Sequence, residues 1–400
     1  MLENVGMALG TSREKQMQLI RNNAPRINVL RSLKGWIQEG RLSEGDALPP
    51  ERELAEQFGV NRAAVRWALQ ALKDEQLIRY QGPRTRVISA RGASLRPDPL
   101  LEQAVVVVSS CVIPAGSDYY DPAKIVWAEG VVRGAMQSVV HAGSHLFVLP
   151  DEHVAGGFAD RVLASKPLGI IIPGVWPSAH AAVVDLLRRA DERKVPVVIY
   201  GGEAEFASYD RVVSDHEAGA YELTRWLISK GRRRILNVWR SPADDYWYGG
   251  RISGFRRAMA EANLDAPEPI LVPVIQRPFG SDEFRSQARI FAGHIVEHLV
   301  GPHPVDAIMA CSDGIAFCIA AACRLCGKTP NVDVAIVGYD DYWSNSPERE
   351  IEIGPMATID KHNWEAGHEL FRLLTARLNG ELPDEPQCRA IAPSLVITGQ

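Results

Sequence analysis

From residue 104 onward the chain repeats one pattern: AVVVVSS, SHLFVLP, LGIIIPG, VPVVIYG, RRILNVW, AIMACSD and VAIVGYD, each separated from the next by a helix-length amphipathic segment. An apolar run with no polar alternation cannot be a strand with one wet face, so it must be covered on both sides. Strands alternating with helices build parallel sheets wrapped by those helices. Seven such strands over nearly 300 residues are better divided between two lobes than forced into one sheet. The longest apolar runs, around Val105 to Ser109 and Leu168 to Pro173, are strand-sized and fall short of the ~18 residues of a membrane span. Charged Arg13, Glu14 and Lys15 interrupt the opening residues, where a secretory signal needs an apolar core. Six cysteines without dense regular spacing fit reduced, buried thiols. A cytoplasmic, soluble chain is expected. At 400 residues and 46% hydrophobic composition it can bury two to three cores.

The amino-terminal end has a different character. The whole chain carries a net charge of −5, which argues against a protein that coats nucleic acid non-specifically. Between Arg26 and Arg91, however, twelve Lys/Arg face eight Asp/Glu, so this stretch is +4 and the remainder about −9. After a polar leader, apolar Ile27, Leu30, Leu33, Trp36 and Ile37 form a helical stripe ended by Gly40. Gly45-Asp46 and Pro49-Pro50 are turn chemistry, and Glu51 opens a short helix with Leu54, Ala55 and Phe58 inward and Gly59 as its stop. Asn61 is a good N-cap for a third helix from Arg62 to Glu75, with Val65, Ala68, Leu69 and Leu72 inward. Leu77 to Tyr80 and Thr85 to Ile88 then read as two strands about a Gly82-Pro83 turn, a wing.

That order of elements, with LPPERELAEQFGVNRAAVRWALQALKDEQLIRYQGPRTRV, resembles the GntR-type winged helix-turn-helix over about 60 residues. The resemblance implies that the third helix enters the major groove while the wing reaches the neighbouring backbone. It marks Arg52, Asn61, Arg62, Arg66, Gly82 and Arg84 as DNA-binding. Arginines here can pair with phosphate or fork onto a guanine edge, and Gly82 lets the wing tip approach closely. The chain differs from the family at Asn61, where Ser or Thr is usual, at Ala64, and at Pro83-Arg84.

The remaining three-quarters resembles the LacI/GalR effector domain, which shares its fold with type I periplasmic binding proteins. Four segments in order carry the likeness: VVSDHEAGAYELTRWLISKGRRRI, GRISGFRRAM, AIMACSDGIAFCIAAACRLCGKTPNVDVAIVGYDD and LFRLLTARLNGELP. Ligands of open parallel sheets bind beyond the carboxyl ends of the strands, which points to Ser312, Asp313 and Asp340. The resemblance adds Arg251 as a grip on a ligand hydroxyl or carboxylate. Carboxylates, an arginine and aromatic faces suit a sugar ring, with Trp127, Trp247 and Phe279 as stacking candidates and Tyr119 and Tyr120 in a long loop. Ser312 stands where Asn is usual, and Gly201 where several sugar-binding relatives have an acid. Together, the two halves are similar to hybrid regulators of the arabinose-repressor type.

The expected fold class is therefore multidomain: a leader (1–25), a winged helix-turn-helix (26–90), a linker (91–103) and a two-lobed α/β domain with parallel sheets (104–400). Lobe 1 is expected at about 104–214 and 357–386, lobe 2 at about 215–356 and 387–400. The expected partners are operator DNA, a small-molecule effector of sugar type, and a second copy of the chain in a homodimer; no membrane, cofactor or metal is expected. An enzyme or binding protein on the same two-lobed fold is the competing class, and it leaves the winged head without a purpose. His294 and His298 have the HxxEH spacing of a zinc peptidase but lie on a helix the sensor needs anyway. Cys323 and Cys326 form a lone CxxC with no second pair, and Ser214-Asp215-His216 is contiguous and cannot fold into a triad.

Overall fold

The computed structural model describes residues 25–37, 41–81, 85–89, 99–109, 122–154, 157–175, 179–241, 246–273 and 281–398. The chain divides into two units, one of residues 1–103 with 153–167 and 188–193, the other of the remainder. The leader, most of the linker, the wing tip at Gly82 and Arg84, the loop with Tyr119 and Tyr120, and Phe279 lie outside the described residues, as does the side chain of Trp127.

In the first unit the predicted helices and strands are present: α1 (25–37), α2 (Glu51–Gln57), α3 (Arg62–Asp74), β1 (Ile78–Gln81) and β2 (Thr85–Ile88), with a further turn of helix, α4 (Pro99–Glu102). Gly59 ends α2 at φ +61°, a conformation an L side chain would strain. Asn61 caps α3 by accepting the Ala64 amide at 2.9 Å. Leu33, Ile37, Leu54, Val65, Ala68, Leu69 and Leu72 of the predicted stripes meet in one core with Val29 and Ile88, whereas Ile27, expected inward, is exposed and Val29 takes its place. Burial of these side chains is what orders so small a helix set, at about 25 cal/mol for each Å² of apolar surface removed from water. An ion pair at 2.7 Å between Lys34 and Glu75 ties α1 to the end of α3. β1 and β2 pair antiparallel, Ile78 opposite Ile88.

The second unit holds two parallel sheets. The first has the order β13-β7-β6-β5-β3-β4, from β3 (Ala104–Ser109), β4 (His145–Pro150), β5 (Gly169–Ile172), β6 (Val197–Tyr200), β7 (Asp210–Ser214) and β13 (Cys388–Ile391). Along the chain its early strands alternate with α5 (Pro122–His141), with α6 (Gly157–Ala164), which is counted in the first unit, and with α7 (His180–Glu192), whose last residues are counted there too. The second sheet has the order β11-β10-β8-β9, from β8 (Ile235–Ser241), β9 (Ile270–Pro273), β10 (Ala307–Ala310) and β11 (Ala335–Val337). Helices α8 (His216–Ser229), α9 (Tyr246–Glu261), α10 (Ser281–Val300) and α11 (Asp313–Leu325) connect its strands. β12 (Ala357–Asp360) and β14 (Ser394–Ile397) pair antiparallel, and α12 (Asn363–Leu378) follows β12. Alternate residues of β8 enter different cores: Leu236 and Val238 meet Phe291, Phe317 and Ile336, while Ile235 meets Leu223, Phe255 and Val337. Both faces are dry, as the unbroken apolar runs require.

The seven predicted strands are β3 to β6, β8, β10 and β11. β7, β9, β12, β13 and β14 were not legible as apolar runs; β13 and β14 are short and carry no fully buried residue. Their places correct the expected lobe boundaries. β13 lies beside β7, Ala390 opposite Val213, so residues 388–391 belong with the first sheet and not with lobe 2. Ala357 and Ile359 of β12 enter the core of the second sheet, so the chain returns to lobe 1 only with α12, whose Ala366, Leu370 and Leu374 pack with Val105 and Val131. Sheet membership is decided by long-range pairing, which a local apolar pattern does not encode.

Candidate functional site

On the head, α3 buries Ala64, Val65, Ala68, Leu69 and Leu72 and leaves Arg62, Ala63, Arg66, Trp67 and Gln70 exposed. Glu51, at the first turn of α2, organises this face. Its side chain is only 16% exposed, and its Oε1 accepts Arg86 Nη2 at 2.8 Å while Oε2 lies 3.4 Å from Arg66 Nε and 4.0 Å from Arg62 Nη2. Burial alone would raise the Glu51 pKa; the Arg86 hydrogen bond and the charges of Arg86 and Arg66 outweigh it and hold the carboxyl below its ordinary value. One carboxylate thus gathers two arginines of α3 and one of the wing strand β2, with the outer parts of Arg62 and Arg66 in solvent. Arg86 also donates to Tyr80 Oη at 3.3 Å and lies over that ring. Arg52 is exposed and pairs with Glu56 one turn away at 3.1 Å. Arg62, Arg66 and the Asn61 cap lie together at the start of α3, Arg52 stands apart from the Glu51 cluster, and Glu51 itself was not anticipated.

In the second unit, side chains converge at the carboxyl ends of the strands. Arg251, in α9, is 5% exposed. Its Nη1 donates to the Cys311 carbonyl at 2.7 Å, and Nη2 lies 3.5 Å from Asp340 Oδ1. The guanidinium rests against the Tyr339 ring, 3.5 Å from its centroid, and against Trp247 at 4.4 Å. Its buried Nε has no hydrogen-bond partner among the described residues. Lys361, directly after β12, brings a second buried cation to Asp340, Nζ to Oδ1 2.9 Å. Burial lowers the Lys361 pKa more than Asp340 restores it, and the Arg251 charge adds to the lowering.

Asp340 is held by strained backbone. Its φ is +92° and that of Asp341 +53°, and the Asp340 amide donates to the Ile359 carbonyl at 2.9 Å. Consecutive residues with positive φ turn the chain sharply after β11 and aim a carboxylate where an ordinary turn would not. His216, the first residue of α8, is buried with Nδ1 unpartnered among the described residues; burial and then the charges of Arg251 and Lys361 hold it well below its ordinary pKa, so the imidazole is neutral. Tyr246 lies edge-on to His216 at 5.5 Å, and a side chain at Gly202 would collide with the Tyr246 ring. Burial pushes the Tyr200, Tyr246 and Tyr339 phenols up. Trp247, Trp239 and Tyr248 stack edge-to-face beside them, Trp239 to Tyr248 4.6 Å between centroids. A cavity of about 330 Å³ opens beside Asp340, lined also by Asp341, Asp360, His362, Asn363 and Trp364.

Of the residues expected to meet an effector, Asp340, Arg251 and Trp247 are brought together. Asp313 is placed otherwise: it is fully buried, and its carboxylate accepts from Tyr342 N (2.7 Å), Trp343 N (3.0 Å) and Thr358 Oγ1 (2.7 Å). It fastens the loop after β11 to the start of α11, with two protein donors on Oδ2 and one on Oδ1. Burial pushes this carboxyl up to about 8 against the Thr358 hydrogen bond, and the nearby Asp340 charge adds to the rise. Ser312 takes the N-cap position of α11 without a side-chain capping bond. Lys361, His216, Tyr200, Tyr246 and Tyr339 were missed. The rule that residues just past a strand line the cleft would have found Tyr339, Lys361 and Tyr200, the last at the very end of its run; Lys361 was lost because β12 was not read as a strand. His294 and His298 are exposed on α10, and the thiol of Cys323 is pushed up to about 12 by burial, which keeps it an unreactive thiol.

A winged head with an arginine face, and a pair of parallel sheets with a buried polar cluster at their carboxyl ends and a cavity beside its Asp340, fit a DNA-binding protein with a small-molecule sensor. Residues 26–87 match the gntR family of bacterial regulatory proteins, and residues 224–399 match the periplasmic binding protein-like domain. The chain is a GntR-type helix-turn-helix fused to an effector domain of LacI/GalR kind, which makes it a transcription regulator. It is similar to the arabinose metabolism transcriptional repressor of Geobacillus stearothermophilus, 25% identical over 79% of this chain and 82% of that one. It is 32% identical to the HTH-type transcriptional regulator CelR of Thermobifida fusca over 48% of this chain, and spans only about half, 52%, of that protein. Among solved structures, a CelR–cellobiose complex shares the fold at a TM-score of 0.54, 21% identity, covering 88% of this chain and 99% of that one. These relatives are regulators, not enzymes.

Proposed function

We propose that the chain is a homodimeric, cytoplasmic repressor whose hold on an operator is loosened when a sugar binds beside Asp340. The observation that carries this reading is the buried meeting of Arg251, Lys361 and Asp340 with the faces of Tyr339 and Trp247 at the strand ends. Sugars offer hydroxyls that donate and accept around an apolar ring face, and this set supplies a carboxylate acceptor, cationic donors and aromatic faces. Arg251 Nε and His216 Nδ1, which have no hydrogen-bond partner among the described residues, are further groups a hydroxyl would satisfy. The similar proteins, one named for arabinose metabolism and one solved as a complex with cellobiose, support the ligand class.

In this reading residues 26–90 are the DNA-binding domain, 91–103 the linker and 104–400 the sensor. Leu325, Val332, Ile351 and Ile353 are exposed at one end of the second sheet, where Arg324 pairs with Glu352 and the Asn331 amide reaches the Gly354 carbonyl. That apolar face supports pairing of two copies, which would match a palindromic operator to the two-fold axis. The effector acts by its differential affinity for two arrangements of the sensor, and it can change operator affinity by no more than that difference.

The test is operator binding by gel shift on the DNA upstream of the gene, with and without a panel of sugars, alongside thermal shift of the same protein. A sugar that raises the melting point and weakens the DNA complex is the expected result. Arg251→Ala should remove both responses and spare DNA binding without ligand; loss of DNA binding as well would mean misfolding, and sugar responses that persist would remove Arg251 from the site.

A further inference from the structure

The exposed face of α3 is not a purely cationic one. Beside Arg62 and Arg66 it presents the methyl of Ala63 and the indole of Trp67, 42% exposed, while Gln70 is turned onto its own helix by a 2.7 Å hydrogen bond to Asp74. Arg66 and Arg62 are drawn toward Glu51. Trp67 has no place in the core of the head, which is closed by Val65, Ala68, Leu69 and Leu72 on the other side of the helix. Helical side chains lean toward the amino terminus, so the indole lies over the turn that carries Ala63, and that turn is the part of a reading helix that meets base edges.

In the major groove the one apolar feature is the C5-methyl group of thymine. We infer that Trp67, with Ala63 beneath it, is a specificity-determining contact that reads a thymine methyl in each operator half-site. The inference rests on the DNA-binding reading above and adds the base that the non-cationic part of the face selects. Arg66 supplies affinity and a guanine or phosphate contact, whereas Trp67 supplies a preference for one methyl group that no arginine can sense.

The experiment uses the full chain. Its operator is selected from random duplex DNA, and each thymine is then replaced by deoxyuridine, which removes the methyl and keeps the base pair. The wild type should bind about fourfold less tightly at one position per half-site, the loss expected for one methyl left unburied. Trp67→Ala should bind the thymine and deoxyuridine operators equally, Trp67→Phe should keep part of the preference, and Arg66→Ala should bind more weakly while keeping the preference. Circular dichroism confirms that the exposed substitution leaves the head folded. A Trp67→Ala protein with the wild-type thymine preference overturns the inference, as does a wild type indifferent to deoxyuridine at every position. Failure to select any sequence would instead bring down the DNA-binding reading itself.

Discussion

Both units gather cations around a single carboxylate, and they do so in opposite surroundings. Glu51 holds Arg62, Arg66 and Arg86 at the surface of the head, whereas Asp340 holds Arg251 and Lys361 almost out of contact with solvent. Arg62 and Arg66 are mostly exposed, so their pairing with Glu51 is weak and salt-screened and a phosphate can replace Glu51 as their partner at little cost, while the better-covered Arg86 stays on Glu51. In the interior, removing one partner leaves a charge that water cannot reach. The same motif is therefore an exchangeable contact in one unit and a fixed, polarised site in the other. DNA binding needs the first, since its affinity comes from counterion release; selective recognition of a small polar molecule needs the second.

The comparison is broken or sharpened first at Asp340. Asp340→Asn should destabilise the sensor by about 3 kcal/mol, because two buried cations lose their counter-charge, and adding Lys361→Met should recover part of the loss. Urea unfolding checks both; equal stabilities for Asp340→Asn and wild type would mean that the interior pair is as exchangeable as the surface one.

Arg66→Ala comes next. It should weaken operator binding by about 1 to 3 kcal/mol and lower the slope of log K against log salt by about one, with little change in melting temperature. Fluorescence anisotropy across a salt series reads both quantities.

The third prediction concerns pH. The Asp313 carboxyl, raised from 3.8 to about 8, keeps its proton longer in the folded chain than in the unfolded one. Its stabilising share is thus full below about pH 4 and is lost as pH rises toward 8. Wild type should lose stability relative to Asp313→Asn over that window, and parallel curves for the two proteins would rule this out.

Glu51 has the opposite sign and the smallest effect. Its lowered pKa gives stability that is present above its ordinary value of 4.5 and disappears as pH falls through the folded value. Glu51→Gln should cost the head under about 1 kcal/mol at neutral pH and remove that acid dependence, measured by thermal unfolding at two pH values. A cost comparable to that of Asp340→Asn would erase the distinction between the two clusters.

The two units were also unequally readable. In the head, α3 with its Asn61 cap, its buried stripe and the exposed Arg62 and Arg66 all follow from 3.6-residue spacing within about a dozen positions. The partner of those arginines does not: Glu51 is one of several acids in ERELAE, and nothing in that string distinguishes it from Glu53 or Glu56 until the helices pack. In the sensor, Asp340 and Arg251 were legible from strand ends and from family likeness, whereas Lys361 and His216 were not, because β12 reads as an unremarkable ATID and His216 sits in a string that looks like a capping segment.

Local order was settled by the chain itself: which stretches are helix or strand, which face of each is apolar, and where caps and stops fall, since these depend on neighbours a few residues away. Which sheet β13 joins, why Asp313 is a clamp while Asp340 faces a cavity, and which carboxylate collects which arginines were decided only by the folded arrangement. Charge pairing and burial depend on groups from separate elements, as with Arg251, 89 residues before Asp340, and Lys361, 21 residues after it, and distance in space is not written in any window of sequence.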